Sequence, residues 1–343
     1  MSAYEPPTFA APVDLDLSRN EGRTTLEEND LDFELVGDLI RRYPDTSRLT
    51  GLVAARHGVS ADQVLVTAGG DDAILRFLMS CRRAAAVTTT PTFEMIARYA
   101  DQVGTPLSEI PWWDGRPPIG EMAGTGAEVA VIVSPNNPTG STIDERELLG
   151  LADRFRLVLL DAAYAEFADH DLTPTALELG NVAVVRTLSK AFGLAGLRVG
   201  YLLGAPDVVS RIAAYGSPFA VSGVSLAVAS RALEAGIAGA KRYASSVLAE
   251  RDRLFVLLGE LGAAPLPSQA NFVLATDTDP EMVVSKAVSL GVGLRRFPGR
   301  PGLERSVRIG LPGNAGEFQR LVSVIRAVLT DDRKVEVADV SRA

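Results

Sequence analysis

Cysteine and histidine are nearly missing from this chain of 343 residues. Cys81 is the single cysteine, so no internal disulfide can close and no thiolate cluster can hold a metal. Two histidines, His57 and His170, are too few for zinc-type chemistry, and no metal site is expected. A basic excess is missing too: 34 Lys and Arg stand against 43 Asp and Glu, a net charge of −9. Nucleic-acid surfaces need a basic patch, so no nucleic-acid partner is expected. No apolar run approaches the length that spans a bilayer, so no membrane partner is expected either. Met1 to Ala11 lacks the basic start and apolar stretch of a signal peptide, and the expected location is cytoplasmic.

What is present suits a soluble globular protein. Hydrophobic residues make up 47% of the chain and charged residues 22%, enough for an ample core. From about Asp62 to Gly204, strand-like apolar runs alternate with helical patterns. Val64–Thr67, Ala84–Thr89, Val129–Val133, Val158–Leu160, Val182–Val185 and Val199–Leu203 read as strands. Asp71–Cys81, Phe93–Asp101 and Asp144–Ala152 read as helices between them. Such alternation predicts an α/β fold with a mostly parallel central sheet covered on both faces. Ligands bind beyond the carboxyl ends of the strands in such sheets. A long amphipathic helix is expected over Ala240–Leu261, broken by Gly262, Pro265 and Pro267. A smaller αβ unit follows: strand Asn271–Ala275, helix Pro280–Leu290, strand Val292–Phe297, strand Ser306–Leu311, helix Ala315–Leu329. The expected division is an amino-terminal segment 1–35 packing with the small domain, a large domain 36–260, a small domain 261–330 and a charged, frayed tail 331–343.

Chemistry concentrates at the predicted strand ends. Val182–Val185 feeds the turn Thr187-Leu188-Ser189-Lys190, and Arg198 follows eight positions after the lysine. A lysine at the end of a buried strand is placed to lose its proton and attack a carbonyl carbon. Thr187, Ser189 and Arg198 put two hydroxyls and a bidentate guanidinium where a phosphate could sit. Gly69-Gly70-Asp71-Asp72 joins strand to helix, where glycine lets backbone approach a ligand and the helix start favours an anion. Taken alone, it is also an ordinary glycine turn with an aspartate cap. Asp161 ends a strand, and a buried carboxylate needs a cationic partner. Ser134-Pro135-Asn136-Asn137-Pro138-Thr139-Gly140 is a rigid turn that exposes an asparagine amide.

In this order the motifs resemble those of the fold-type I pyridoxal-phosphate (PLP) enzymes. The wording Thr-Leu-Ser-Lys-Ala-Phe-Gly-Leu-Ala-Gly-Leu-Arg is close to that of histidinol-phosphate aminotransferases. The resemblance spans roughly Asp16 to Leu329. It implies a PLP-dependent transferase with a large PLP-binding domain and a smaller αβ domain. Lys190 would carry the cofactor, Asp161 would meet its pyridine nitrogen, and Asn137 and Tyr164 its phenolic oxygen. Gly70 and Asp71 would hold the phosphate together with Thr187, Ser189 and Arg198. Phe93 would stack on the ring, where the family usually has tyrosine. Arg41-Arg42-Tyr43-Pro44 is similar to a segment whose tyrosine reaches the neighbouring subunit's cofactor, which implies a homodimer with shared sites. Asn20 and Arg308 would face substrate, Arg308 as the α-carboxylate clamp. Arg295 would read a substrate phosphate. Arg308 could equally be a solvated strand charge.

The implied reaction moves an amino group from a donor to a 2-oxo acid in amino-acid biosynthesis. The pair most like the family is histidinol phosphate and 2-oxoglutarate. Three departures from its pattern leave other amino acids open: Ala162 stands where glutamate is usual, Phe93 lacks the hydroxyl, and the amino-terminal arm around Tyr4 is short. The alternatives are an aromatic or other amino-acid aminotransferase, a decarboxylase of the threonine-phosphate type, and a PLP-fold binding domain without catalysis.

Overall fold

The computed structural model describes residues 7–24 and 36–340. Twelve strands are described: β1 (Leu15–Asp16), β2 (Val64–Thr67), β3 (Ala86–Thr90), β4 (Leu107–Pro111), β5 (Val129–Val133), β6 (Leu157–Asp161), β7 (Val182–Thr187), β8 (Gly200–Leu203), β9 (Phe272–Ala275), β10 (Val292–Gly293), β11 (Arg295–Arg296) and β12 (Val307–Gly310). Seven form the main sheet in the order β2-β8-β7-β6-β5-β3-β4. Its pairings are parallel except those of β8, which runs antiparallel to both β2 and β7.

Burial explains why the central strands are so apolar. Every residue of β5, β6 and β7 is buried. Successive side chains leave a strand on opposite faces. In β5, Ala130 and Ile132 join one core cluster while Val129, Val131 and Val133 join the other. A strand covered on both faces must be apolar throughout, which is what a near-continuous Val/Leu run encodes. The helix Gly69–Ser80 covers one face with Ala73, Ile74, Phe77 and Leu78, all at most 1% exposed.

A smaller antiparallel sheet, β11-β12-β9, follows the long helix Ala238–Glu260. The amino-terminal stretch joins that region: β1 pairs in parallel with β10, Leu15 opposite Val292 and Asp16 opposite Gly293.

Four sequence expectations shift. The strand expected over Val292–Phe297 divides into β10 and β11, which serve different sheets. The last helix runs Ala315–Val340 instead of ending at Leu329, so the backbone of the charged tail is helical to Val340. The helix expected from Phe93 starts at Met95, after a turn that leaves Phe93 and Glu94 at the sheet's edge. Strand β4, with its exposed Ser108 and Glu109, was not read from the sequence, because an edge strand need not be apolar.

Candidate active site

The carboxyl ends of the parallel strands open into one cavity of about 420 Å³. The turn after β2 delivers Gly70 and Asp71, that after β3 delivers Phe93, and that after β5 delivers Asn137. β6 delivers Asp161 and then Tyr164, and β7 delivers Thr187, Ser189 and Lys190. Because β8 is reversed, its amino end lies at this same edge, and Arg198 just before it joins the cavity. The smaller sheet contributes Arg295 and Arg308.

One end of the cavity is a cup of donors. The helix Gly69–Ser80 starts there, where unpaired amides and the helix dipole favour an anion. Gly69 has φ +81°, and a Cβ on it would come within 2.7 Å of Arg198 Nη2, so the guanidinium lies directly on the glycine. Arg198 Nη2 donates to Asp71 Oδ2 at 3.0 Å. Thr187 Oγ1 donates to Ser189 Oγ at 2.9 Å and accepts from Ser189 N at 3.1 Å, which closes the turn that carries Lys190. Arg198 (φ 53°) and Asn20 (φ 52°) are two of only three described non-glycine residues in the left-handed region. Such strain persists where surrounding contacts enforce it, and it clusters at ligand sites.

Deeper lies Asp161, 5% exposed. Its Oδ1 accepts from Ala163 N at 3.1 Å, and no cation among the described residues forms an ion pair with it. Burial pushes its carboxyl up to about 7, against the lowering effect of the Ala163 amide. A buried carboxyl in this state suits a ligand that brings a cationic N–H. Lys190 Nζ donates to the Arg19 carbonyl at 3.3 Å and lies 5.6 Å from the Tyr164 ring centre.

The amide of Asn136 is locked inside its own turn: it accepts from Thr92 Oγ1 and donates to the Pro91 carbonyl and to Thr139 Oγ1. Asn137 is thereby left to face the cavity. Its oxygen accepts from Arg308 Nη1 at 2.6 Å, so its nitrogen remains as the donor. Arg308 is 6% exposed and also donates from Nη2 to the Ser18 carbonyl at 2.7 Å, which removes the solvated-charge alternative. Asn20 is 3% exposed. With its amide oxygen turned to Arg308, as the neighbours require, it accepts from Nε at 3.3 Å and Nη1 at 3.2 Å. That end of the amide is 3.4 Å from Tyr164 Oη.

Tyr43 is not among the residues lining its own chain's cavity. It is 81% exposed and stacks on Phe219 with ring centres 4.5 Å apart. Three features escaped the sequence reading. Arg186, 2% exposed, donates to Glu166 Oε1 at 2.5 Å and to Asp171 Oδ2 at 2.7 Å, tying β7 to the segment that follows Tyr164. Glu94 and Arg300 line the cavity near Arg295. Alternation along β7 could have flagged Arg186 as pointing away from Thr187. Nothing local marks Glu94 or Arg300.

The cavity combines an anion cup, a buried carboxyl with no ion-pair partner among the described residues, aromatic side chains and a lysine. That donor set fits PLP: its phosphate, pyridine nitrogen, ring face and aldehyde each find a matching group. The fold and site define a PLP enzyme of fold type I. Comparison with known proteins agrees and narrows it. The family described as aminotransferase class I and II matches residues 21–325. The histidinol-phosphate aminotransferase of Thermococcus gammatolerans is 32% identical over 304 residues, 84% of this chain and 86% of that protein. That of Pyrococcus furiosus is 30% identical over 326 residues, 92% and 93% of the two chains. The crystal structure of the Sinorhizobium meliloti histidinol-phosphate aminotransferase in complex with pyridoxal-5'-phosphate superposes with a TM-score of 0.82. It is 25% identical, and the match covers 93% of this chain and 92% of that one. The chain belongs to the class I and II aminotransferases, and it is a PLP-dependent aminotransferase.

Proposed function

We propose that this enzyme transaminates histidinol phosphate, with 2-oxoglutarate as acceptor, as a homodimer with shared sites. One observation carries the reading. Arg295 and Arg308 stand directly opposite each other on β11 and β12, and both line the cavity that Lys190 lines. Like charges placed opposite on neighbouring strands destabilise a sheet unless anions or acceptors meet them. Two such arginines in a concave wall suit substrates that bring anionic groups. The relatives named for histidinol phosphate support that choice of donor.

When bound, PLP supplies an electron sink for the pair left as the donor's α-carbon loses its proton. This chain's residues supply the rest. Lys190 Nζ would take that proton and pass it to the carbon through which the cofactor holds the amino group. Asp161 would hold the proton of the cofactor's ring nitrogen. Asn137 Nδ2 and Tyr164 Oη would meet the phenolic oxygen, and Phe93 would cover the ring. The amides of Gly70 and Asp71, the hydroxyls of Thr187 and Ser189, and Arg198 would hold the phosphate, joined by Tyr43 from the second chain. Arg308, oriented by Asn20 and Asn137, clamps the α-carboxylate of the 2-oxoglutarate acceptor, and Arg295 meets the donor's phosphate. A large domain over 36–260, a small one over 261–330 and cytoplasmic location complete the proposal.

Steady-state kinetics with histidinol phosphate, histidinol and phenylalanine test it. Arg295→Ala should lower kcat/KM for histidinol phosphate by roughly 100-fold, as expected when a charge-assisted pair is lost, with a smaller effect on the other two donors. Arg308→Ala should chiefly raise KM for 2-oxoglutarate. A wild type that prefers phenylalanine, or an Arg295→Ala variant that loses equally on all three donors, would sink the histidinol-phosphate assignment.

A further inference from the structure

Glu94 follows Phe93 directly and lines the same cavity. Its carboxylate is divided between two cations. Arg295 Nη2 donates to Oε1 at 3.1 Å, and Arg300 Nη1 lies 3.6 Å from Oε2. Arg300 does not dangle: its Nη2 also donates to the Thr92 carbonyl at 3.2 Å. It belongs to the loop between β11 and β12, and Trp113 backs that loop. Gly302 has φ +80°, and a Cβ there would come within 2.7 Å of the indole ring. The loop's path is therefore set by contacts outside the Glu94 pairs.

Two guanidiniums held side by side in a concave wall repel each other, and the repulsion grows as water is excluded. Glu94 offsets it by standing between them. Its carboxylate thus sits between the two positive charges, which is also where a ligand's anionic group would gain from both. With Glu94 charged, the three side chains sum to one positive charge; without its charge they sum to two.

We propose that Glu94, Arg295 and Arg300 form a single subsite for the substrate's distal anion, with Glu94 as a resident counter-ion that the incoming anion must displace. Glu94 then sets how strongly the enzyme prefers anionic over neutral distal groups. This rests on Arg295 meeting that distal group; Arg300 and Glu94 are the added members. Specificity here comes partly from a built-in repulsive element, which weakens every anionic ligand and spares neutral ones.

The charge-neutral, shape-conserving change Glu94→Gln isolates the effect. Glutarate and pentanoate are unreactive acids that differ by one distal carboxylate. Their dissociation constants on the PLP-loaded enzyme can be read by calorimetry. Glu94→Gln should raise the preference for glutarate over pentanoate about tenfold, and Arg300→Gln should lower it about tenfold, each corresponding to one modest charge interaction. The ratio of kcat/KM for histidinol phosphate over histidinol should move in the same directions. An unchanged glutarate preference in Glu94→Gln overturns the proposal, since Glu94 is then a bystander. A lowered preference also overturns it, since Glu94 then acts as a brace that holds the arginines in place. If wild type fails to use histidinol phosphate while the glutarate preference shifts as expected, the donor assignment fails and the subsite stands.

Discussion

Asp161 carries a carboxyl that the fold has taken out of water without an ion pair to any described cation, the Lys190 charge lowering it less than burial raises it. Burial raises it from its ordinary 3.8 to about 7, so the folded apoprotein keeps a proton there that the unfolded chain releases near pH 4. The stability tied to the neutral carboxyl is complete below 3.8 and is lost as the pH rises through about 7. Asp161→Asn keeps the shape and removes the penalty. The apoprotein variant should therefore be more stable than wild type at pH 8, by on the order of a few kcal/mol, and no more stable at pH 4. Denaturant titrations at the two pH values check this. Equal differences at both would mean that burial is not what raises the group. Lys190 is marked out at the same scale by scarcity: the chain has four lysines, Lys190, Lys241, Lys286 and Lys334, and among the described side chains Lys190 is the one that lines the cavity.

At the scale of elements, the site depends on where backbone crosses backbone. The segment after β1 passes over the lysine turn so closely that a Cβ on Gly22 would overlap the Lys190 carbonyl oxygen. The same segment supplies the Arg19 carbonyl to Lys190 and the Ser18 carbonyl to Arg308. Neither partner at this crossing is a flexible side chain, so one must move. Gly22→Ala should cost about 1–3 kcal/mol of stability, as overpacking does, and should raise KM for 2-oxoglutarate by loosening Arg308. Gly51 provides the contrast. It lies inside the helix Ser47–His57, and a Cβ there meets nothing within 4 Å. Gly51→Ala should raise stability by about 0.5–1 kcal/mol and leave KM alone. Thermal melts and kinetics of the pair measure both effects, and a Gly22→Ala enzyme with unchanged KM would separate the segment from the substrate clamp.

At the scale of the whole molecule, assembly can be tested at the surface. Tyr43 and Phe219 expose a stacked aromatic pair on the surface, 81% and 49% accessible. If Tyr43 serves a second chain's phosphate cup, Tyr43→Phe should weaken PLP binding by about 1–3 kcal/mol, the cost of one buried hydrogen bond. Mixing Tyr43→Phe chains with Lys190→Ala chains sharpens the test. Shared sites give each heterodimer one intact site and one that carries both changes, so tight PLP binding with turnover should reappear on mixing. Mixtures that bind PLP no more tightly than the Tyr43→Phe homodimer would rule out sharing, and a Tyr43→Phe homodimer with unchanged PLP affinity would leave Tyr43 a surface residue.

Sequence alone determined the parts of this protein that are local. The Val and Leu runs of β5, β6 and β7 encode burial on both faces. The glycines before Asp71 encode a close approach at a helix start, and the Asn137 turn and the Ser189-Lys190 turn each lie within a few residues of a strand end. Motifs of that kind need no distant partner to be legible, and their order along the chain was enough to place them on one edge of one sheet. What only tertiary structure decided depends on residues far apart in the chain. The reversal of β8 sets Arg198 on Gly69 and Asp71 at the start of a distant helix. The register of β11 on β12 sets Arg295 opposite Arg308. Asn20 reaches Arg308, and Glu94 reaches Arg295 and Arg300, across separations that leave no local pattern. The physical reason is one of energy. A strand or turn is favoured by the propensities of its own few residues, whereas a buried charge is tolerated only when a partner elsewhere in the chain meets it, and that partner is chosen by packing.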